Sequence, residues 1–227
     1  MNILAIDTAT EACSVALHTE KNVIARFELC PQQHSQRLLP MVDEVLKEAA
    51  ISLLDLDALA FGRGPGSFTG VRIATGMVQG LAFGANLPVA GISTLAAMAQ
   101  QGFEQTDAET CACAIDARMG EVYFAIYQRN AEGMNELVKE QVCPPAEAAH
   151  LLKGRKFIPV GTGWQAYAEL QQTLPPECTV DILYPSAEFM LSLAARAVND
   201  HNTVAADKVS PVYLRDKVTW KKLPGRE

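Results

Sequence analysis

Along the first third of the chain, apolar and polar positions alternate in short runs and then give way to a helical spacing. Asn2 to Asp7 is an apolar run closed by a carboxylate, while Ala12 to Thr19 and Asn22 to Leu29 alternate as half-covered strands do. A three-stranded meander is predicted. From His34 to Ala50, Leu38, Met41, Val42, Val45, Leu46 and Ala49 recur at helical spacing behind the breaker Pro31, which predicts a helix. Strands over Leu56 to Phe61 and Pro88 to Ile92 then alternate with helices over Thr69 to Phe83 and Ser93 to Gln101. This order is that of an α/β layer structure.

The pattern then begins again. Ala5-Ile6-Asp7 recurs as Ala114-Ile115-Asp116, and without a gap Ala16-Leu17 recurs as Ala125-Ile126. In the second copy Glu121 to Gln128 is the returning strand, Ala146 to Leu152 a short helix, Phe157 to Val160 a strand and Ser186 to Val198 the last strong helix. Two related halves are expected, residues 1–105 and 106–227, divided in the polar stretch Gly102 to Thr110. Duplicated halves that each open on a meander with an Asp ending the first strand resemble the actin and sugar-kinase superfamily, whose halves are ribonuclease-H-like.

Composition narrows the functions. Apolar residues make up 49% and charged ones 20% of the 227 positions, as in globular proteins. Lys and Arg number 19 against 26 Asp and Glu, a net charge of −7. tRNA binding leans on basic surface, so the chain alone is expected to bind RNA poorly. The start carries no basic, apolar leader pattern and no apolar run approaches a membrane span, which leads us to expect a cytoplasmic address. Six cysteines without a C-x-x-C read as reduced thiols. Cys111 and Cys113 share one face of a strand, where core burial is favoured over a metal site.

Candidate chemistry gathers at the turns. Asp7-Thr8-Ala9-Thr10 occupies the place of a phosphate loop but lacks its glycine, so Asp7 and Thr8 either contact an anion or bond their own turn. Asp116-Ala117-Arg118-Met119-Gly120-Glu121 adds a cation and a glycine; Arg118 either faces an anion or pairs with Glu121. Gly64-Pro65-Gly66-Ser67-Phe68-Thr69-Gly70 runs from a strand into a helix. It is either an anion site at a helix N-terminus or a crowded connection capped by Ser67 or Thr69. Inside that helix Gly76, Gly80 and Gly84 recur every four residues, each costing about 1 kcal/mol against Ala. With Val71, Thr75, Met77 and Leu81 around it, this stripe packs either on the chain's own sheet or on a partner helix. His34 stands ahead of a helix with no second histidine at metal-binding spacing, and reads as a capping or surface residue. No nucleophile appears with its base.

Taken together, Ile6-Asp7-Thr8-Ala9-Thr10, His34-Ser35-Gln36-Arg37-Leu38-Leu39-Pro40, Gly64 to Arg72 and Ile115 to Tyr123 resemble the TsaB family, also called YeaZ. The likeness runs to Pro211-Val212-Tyr213-Leu214-Arg215. It implies a duplicated actin-like fold and a non-catalytic role in placing a threonylcarbamoyl group on the adenosine beside the tRNA anticodon. The implied partners are the transferase TsaD and the ATPase TsaE, with tRNA met only through the complex. TsaD carries a His-x-x-x-His metal pair where this chain has Thr94 and Met98, so neither enzyme activity nor a metal is expected here. No cofactor is expected either, weak nucleotide contact at the complex interface being left open. The helices over His34 to Ala50 and Thr69 to Phe83 are expected to dock TsaD or, in its absence, a second copy. Leu38, Met41, Val42, Val45 and Leu46 cover more circumference than one sheet-facing stripe needs, so some should face outward. The basic end Lys217, Trp220, Lys221, Lys222 and Arg226 is either a further contact for tRNA or an acidic partner surface or a solvated tail.

Overall fold

The computed structural model describes residues 1–131, 133–175 and 178–215, so the basic end lies outside the described residues. The meander forms as β1 (Ile3–Asp7), β2 (Ala12–His18) and β3 (Val23–Leu29). There follow α1 (His34–Ala49), β4 (Ala58–Gly64), α2 (Phe68–Ala85), β5 (Val89–Ser93) and α3 (Thr94–Gln105). These strands build a five-stranded sheet ordered β3-β2-β1-β4-β5, antiparallel within the meander and parallel from β1 onward to β5.

β6 (Thr110–Asp116), β7 (Val122–Asn130), β8 (Gly133–Cys143), α4 (Pro145–Leu151) and β9 (Ile158–Val160) repeat the order. Their sheet runs β8-β7-β6-β9, with the strand directions of β3-β2-β1-β4. The short α5 (Gly163–Ala166) and α6 (Ala168–Gln171) and the longer α7 (Leu191–Asn199) complete an α/β protein with two mixed sheets. Register corrects one detail of the sequence repeat. Ala5 pairs with Ala16 and Ala114 with Phe124, so Ala16 corresponds to Phe124 and not to Ala125. The second turn is one residue shorter than the first.

Each sheet is covered on both faces, and four apolar clusters result. α1 and α2 lie on one face of the first sheet, where Leu4, Ile6, Val15, Leu17, Leu59 and Phe61 meet Leu38, Met41, Val42, Val45, Ala74 and Val78. α3 covers the second sheet through Leu95, Met98 and Phe103, and α4 to α6 cover its other face around Trp164 and Leu170. The remaining face of the first sheet is closed by α7 and the 3-10 turn Ala187–Met190. The expected boundary between halves therefore needs correction at its far end. α7 was expected to belong to the second half, but its apolar stripe of Leu191 and Ala194 is buried on the first sheet. Val204 also pairs with Val89, and the Val212 N–H donates to the Arg63 carbonyl at 2.8 Å.

Candidate functional site

β1 ends on Asp7, and the turn that follows is held by the glycine-rich loop. The Thr8 hydroxyl donates to the Gly70 carbonyl at 2.7 Å, and the Ser67 N–H donates to the Ala9 carbonyl at 2.7 Å. A Cβ on Gly66 would stand 2.3 Å from the Ala9 carbonyl oxygen, and one on Gly70 would stand 2.0 Å from that of Thr8. Crowding of two backbones thus explains these glycines. Ser67 is the N-cap of α2, its hydroxyl accepting the Gly70 N–H at 3.4 Å, while Thr69 is exposed on the first turn. Thr8 faces inward and is no candidate for anion contact as the chain stands.

The same correction applies to Asp7. Its side chain is fully buried; Oδ1 accepts the Ala9 N–H at 3.0 Å, and Oδ2 has no hydrogen-bond partner among the described residues. Burial pushes its carboxyl up to about 7, against the opposing pull of the Ala9 N–H. Gly62 on β4 makes the room, since a Cβ there would stand 1.7 Å from Oδ2.

Asp116, which ends β6 as Asp7 ends β1, faces a different environment. It accepts the Arg118 N–H at 2.9 Å and the Tyr167 hydroxyl at 2.8 Å, and pairs with the Arg118 guanidinium at 3.1 Å. Burial, and then the bond to Asp116, push the Tyr167 phenol up to about 12. Arg118 does not pair with Glu121. It reaches across to Glu11 at 3.3 Å, and Glu121 is taken by Arg215. Arg118 and Met119 sit at φ 61° and 58°, the left-handed region that a tight turn demands.

Between the turns lies a cavity of about 1260 Å³. Its walls come from the β1–β2 and β6–β7 turns, the starts of α1 and α2, the Thr162–Ala166 segment and the strap Val212–Arg215. Ser67 and Arg118 line it; Asp7, Thr8 and Thr69 do not. Arg72 stacks 3.6 Å above the Phe68 ring and donates to the Tyr213 hydroxyl at 2.8 Å at one rim. His34 also lines the cavity, 7% exposed, its Nε2 without a hydrogen-bond partner among the described residues. Sequence spacing marked His34 as a surface or capping residue, and nothing in that spacing signals burial. No group of three or more His, Cys, Asp or Glu side chains suited to a metal occurs among the described residues. Thr94 and Met98 are buried on α3.

The helices expected to meet a partner divide sharply. Leu38, Met41, Val42 and Val45 are 0 to 2% exposed, all in the first core, and Leu46 is half-buried against it, so the stripe faces inward. The wide stripe serves β2, β3 and α2 together rather than one sheet face. Val71 and Thr75 are also buried, and Met77 and Leu81 are half-buried against the same core. Gly76, Gly80 and Gly84 point the other way, each with nothing among the described residues within 4 Å of where a Cβ would stand. Phe83 beside them is 84% exposed, and on α1 Leu39 is 51% exposed. The glycine stripe is open surface.

A mixed meander-and-crossover sheet, repeated, with a cleft between the Asp-bearing turns defines a recognisable class. The family described as TsaD, tRNA N6-adenosine threonylcarbamoyltransferase, matches residues 19–222. Within that class, this chain belongs to the TsaB (YeaZ) family. The tRNA threonylcarbamoyladenosine biosynthesis protein TsaB of Escherichia coli is 50% identical over 100% of both chains. That of Haemophilus influenzae is 48% identical, covering 100% of this chain and 99% of its own. The solved YeaZ of Pseudomonas aeruginosa is 46% identical with a TM-score of 0.85, covering 94% of this chain and 99% of that one.

Proposed function

We propose that this chain is the non-catalytic scaffold subunit of the complex that makes threonylcarbamoyladenosine in tRNA. It binds and activates the TsaD transferase together with the TsaE ATPase, in the cytoplasm, and meets tRNA only through the complex. The two sheets are duplicated ribonuclease-H-like halves of an actin-like fold, residues 1–105 and 106–227 by sequence, with the chain from Ala187 returned to the first. TsaD docks on the outer face of α1 and α2, and in its absence a second copy takes the same face.

The open glycine stripe of α2 carries this reading. Three interior glycines cost about 1 kcal/mol each in helix propensity, and no packing among the described residues compensates, since a Cβ at each would meet none of their atoms within 4 Å. A flat stripe beside the exposed Phe83 and Leu39 suits another helix backbone at close range.

Gly80→Leu tests the docking face, because its side chain has room in the free chain and only a partner would meet it. The variant is expected to melt no lower than the parent yet to bind the TsaD counterpart at least about tenfold more weakly, a loss of roughly 1.4 kcal/mol or more. Unchanged TsaD affinity in the folded variant would show that this face is not the interface.

A further inference from the structure

β5 ends the first sheet on the side away from β3, and its outer side is met only at its first residue. The Val89 N–H donates to the Val204 carbonyl at 2.9 Å, and the Val204 N–H donates to the Val89 carbonyl at 2.9 Å. Two residues on, the alternation of the strand turns the N–H and carbonyl of Gly91 to the same side, where nothing among the described residues bonds them. Beside Gly91 lies a second cavity, of about 500 Å³, walled by β4, β5 and α7 from the first sheet and by β7 and β8 from the second. It shares only Val212 with the lining of the larger cavity.

Charge in this second cavity is mixed and only partly used. Glu140, with its side chain 8% exposed, accepts the Tyr127 hydroxyl at 3.0 Å and Nη2 of Arg63 at 3.3 Å. Arg63 is itself only 29% exposed, yet its Nε and Nη1 have no acceptor among the described residues. Arg196 reaches from α7 to β8, where a Cβ on Gly133 would stand 2.3 Å from its Nη2. Arg196, Glu136 and Asp200 all line the cavity, and none of their side chains has an ion pair among the described residues. Lys208, also in the lining, is paired with Asp207 at 3.4 Å. A half-buried guanidinium with open donors suits a carboxylate, which takes two N–H groups at once. A simple anion would be opposed by Glu136 and Asp200, and a simple cation by the two guanidiniums, so a ligand carrying both charges is the one that fits.

We propose that this cavity is a binding site for a free α-amino acid with an apolar side chain. The carboxylate lies against Arg63, Arg196 and the Gly91 N–H, the ammonium group against Glu136, Asp200 and the Gly91 carbonyl, and the side chain against Phe61, Ile92 and Leu193 of the lining. The volume falls within the roughly 300–1,000 Å³ of small-molecule sites. Bound there, the ligand ties α7 to β8 and so raises the melting temperature of the chain. The site stands apart from the glycine face of α2, and its occupancy does not depend on where TsaD docks.

Titration calorimetry and thermal melting of the full chain with L-leucine and L-phenylalanine, up to about 10 mM, test the proposal. One of the two should bind one per chain with a Kd below about 1 mM and raise the melting temperature. Its amide, which lacks the carboxylate, and its N-acetyl derivative, which lacks the ammonium group, should each bind at least about tenfold more weakly. Arg196→Met, at an exposed position without an ion pair, should melt like the parent when free, and should weaken the amino acid at least about tenfold while leaving its amide unchanged. Glu136→Gln combined with Asp200→Asn should do the same to the amino acid while leaving its N-acetyl derivative unchanged. Neither heat nor a melting shift with either amino acid, equal binding by the blocked derivatives, or a folded Arg196→Met chain of parental affinity would overturn the proposal.

Discussion

Asp7 and Asp116 close equivalent strands, yet one is sealed in apolar surroundings and the other is bonded by Arg118 and Tyr167. The difference has a thermodynamic signature. Burial raises Asp7 from 3.8 to about 7, so between those values the folded chain holds a proton that the unfolded chain has released. Its contribution favours folding below about pH 4, declines as pH rises toward 7 and is level above. Asp7→Asn keeps the acceptor for the Ala9 N–H and removes the titration. Chemical denaturation across pH 4 to 8 should find the variant gaining on the parent through that window by the order of a few kcal/mol. Parallel pH profiles would mean that Asp7 has a partner for its charge. Gly62→Ala should lower stability by about 1–3 kcal/mol or more, because its methyl would stand 1.7 Å from Oδ2, and thermal melting checks it. None of this was legible in the sequence. A carboxylate at a strand end reads the same whether it faces a cleft or a core, and burial at Asp7 and His34 is decided by distant elements, β4 and the cleft walls.

At the scale of elements, periodicity served well where one face is buried. The meander, α1, β4, α2, β5 and α3 all form near their expected bounds, the helices because their apolar positions recur at helical spacing and β1, β4 and β5 because they are short apolar runs bounded by polar or turn residues. β8 was missed for a physical reason: as the edge of its sheet it has Asn135 to Leu137 exposed in a row, and shows no two-residue alternation. The face of α1 was misread because its apolar stripe must fit β2, β3 and α2 at once. The glycines of α2 were legible as an anomaly, but which way they face was not. Gly80→Ala now has a definite sign. With nothing within 4 Å of the added methyl, it should stabilise the isolated chain by about 1 kcal/mol in denaturant titration. A loss of stability would mean that the stripe packs on something within the chain.

At the scale of the molecule, the segment Val209–Arg215 straps the halves together. Gln79 donates to the Val209 carbonyl at 3.0 Å and the Val212 N–H donates to the Arg63 carbonyl at 2.8 Å, both on the first half. Arg215 ends the strap on the second, donating to the carbonyls of Ala117 and Arg118 at 3.2 and 3.3 Å and pairing with Glu121. Arg215→Ala should therefore cost roughly 1–3 kcal/mol and speed amide exchange in the β6–β7 turn more than in β1 to β5. Uniform exchange changes would argue against a local latch. The sequence disclosed the family and, β8 aside, the order of the strands in both sheets but not the strap or the packing of α7 on the first sheet, since both depend on long-range packing that no local pattern encodes.

The scaffold role proposed above is tested through the partner it would serve. The decisive measurement is threonylcarbamoyladenosine formation on tRNA by the TsaD and TsaE counterparts, with the parent chain, with Gly80→Leu and with neither. The account predicts modification with the parent, a rate reduced at least about tenfold with Gly80→Leu at limiting concentration, and little without the chain. Equal rates in all three mixtures would contradict it.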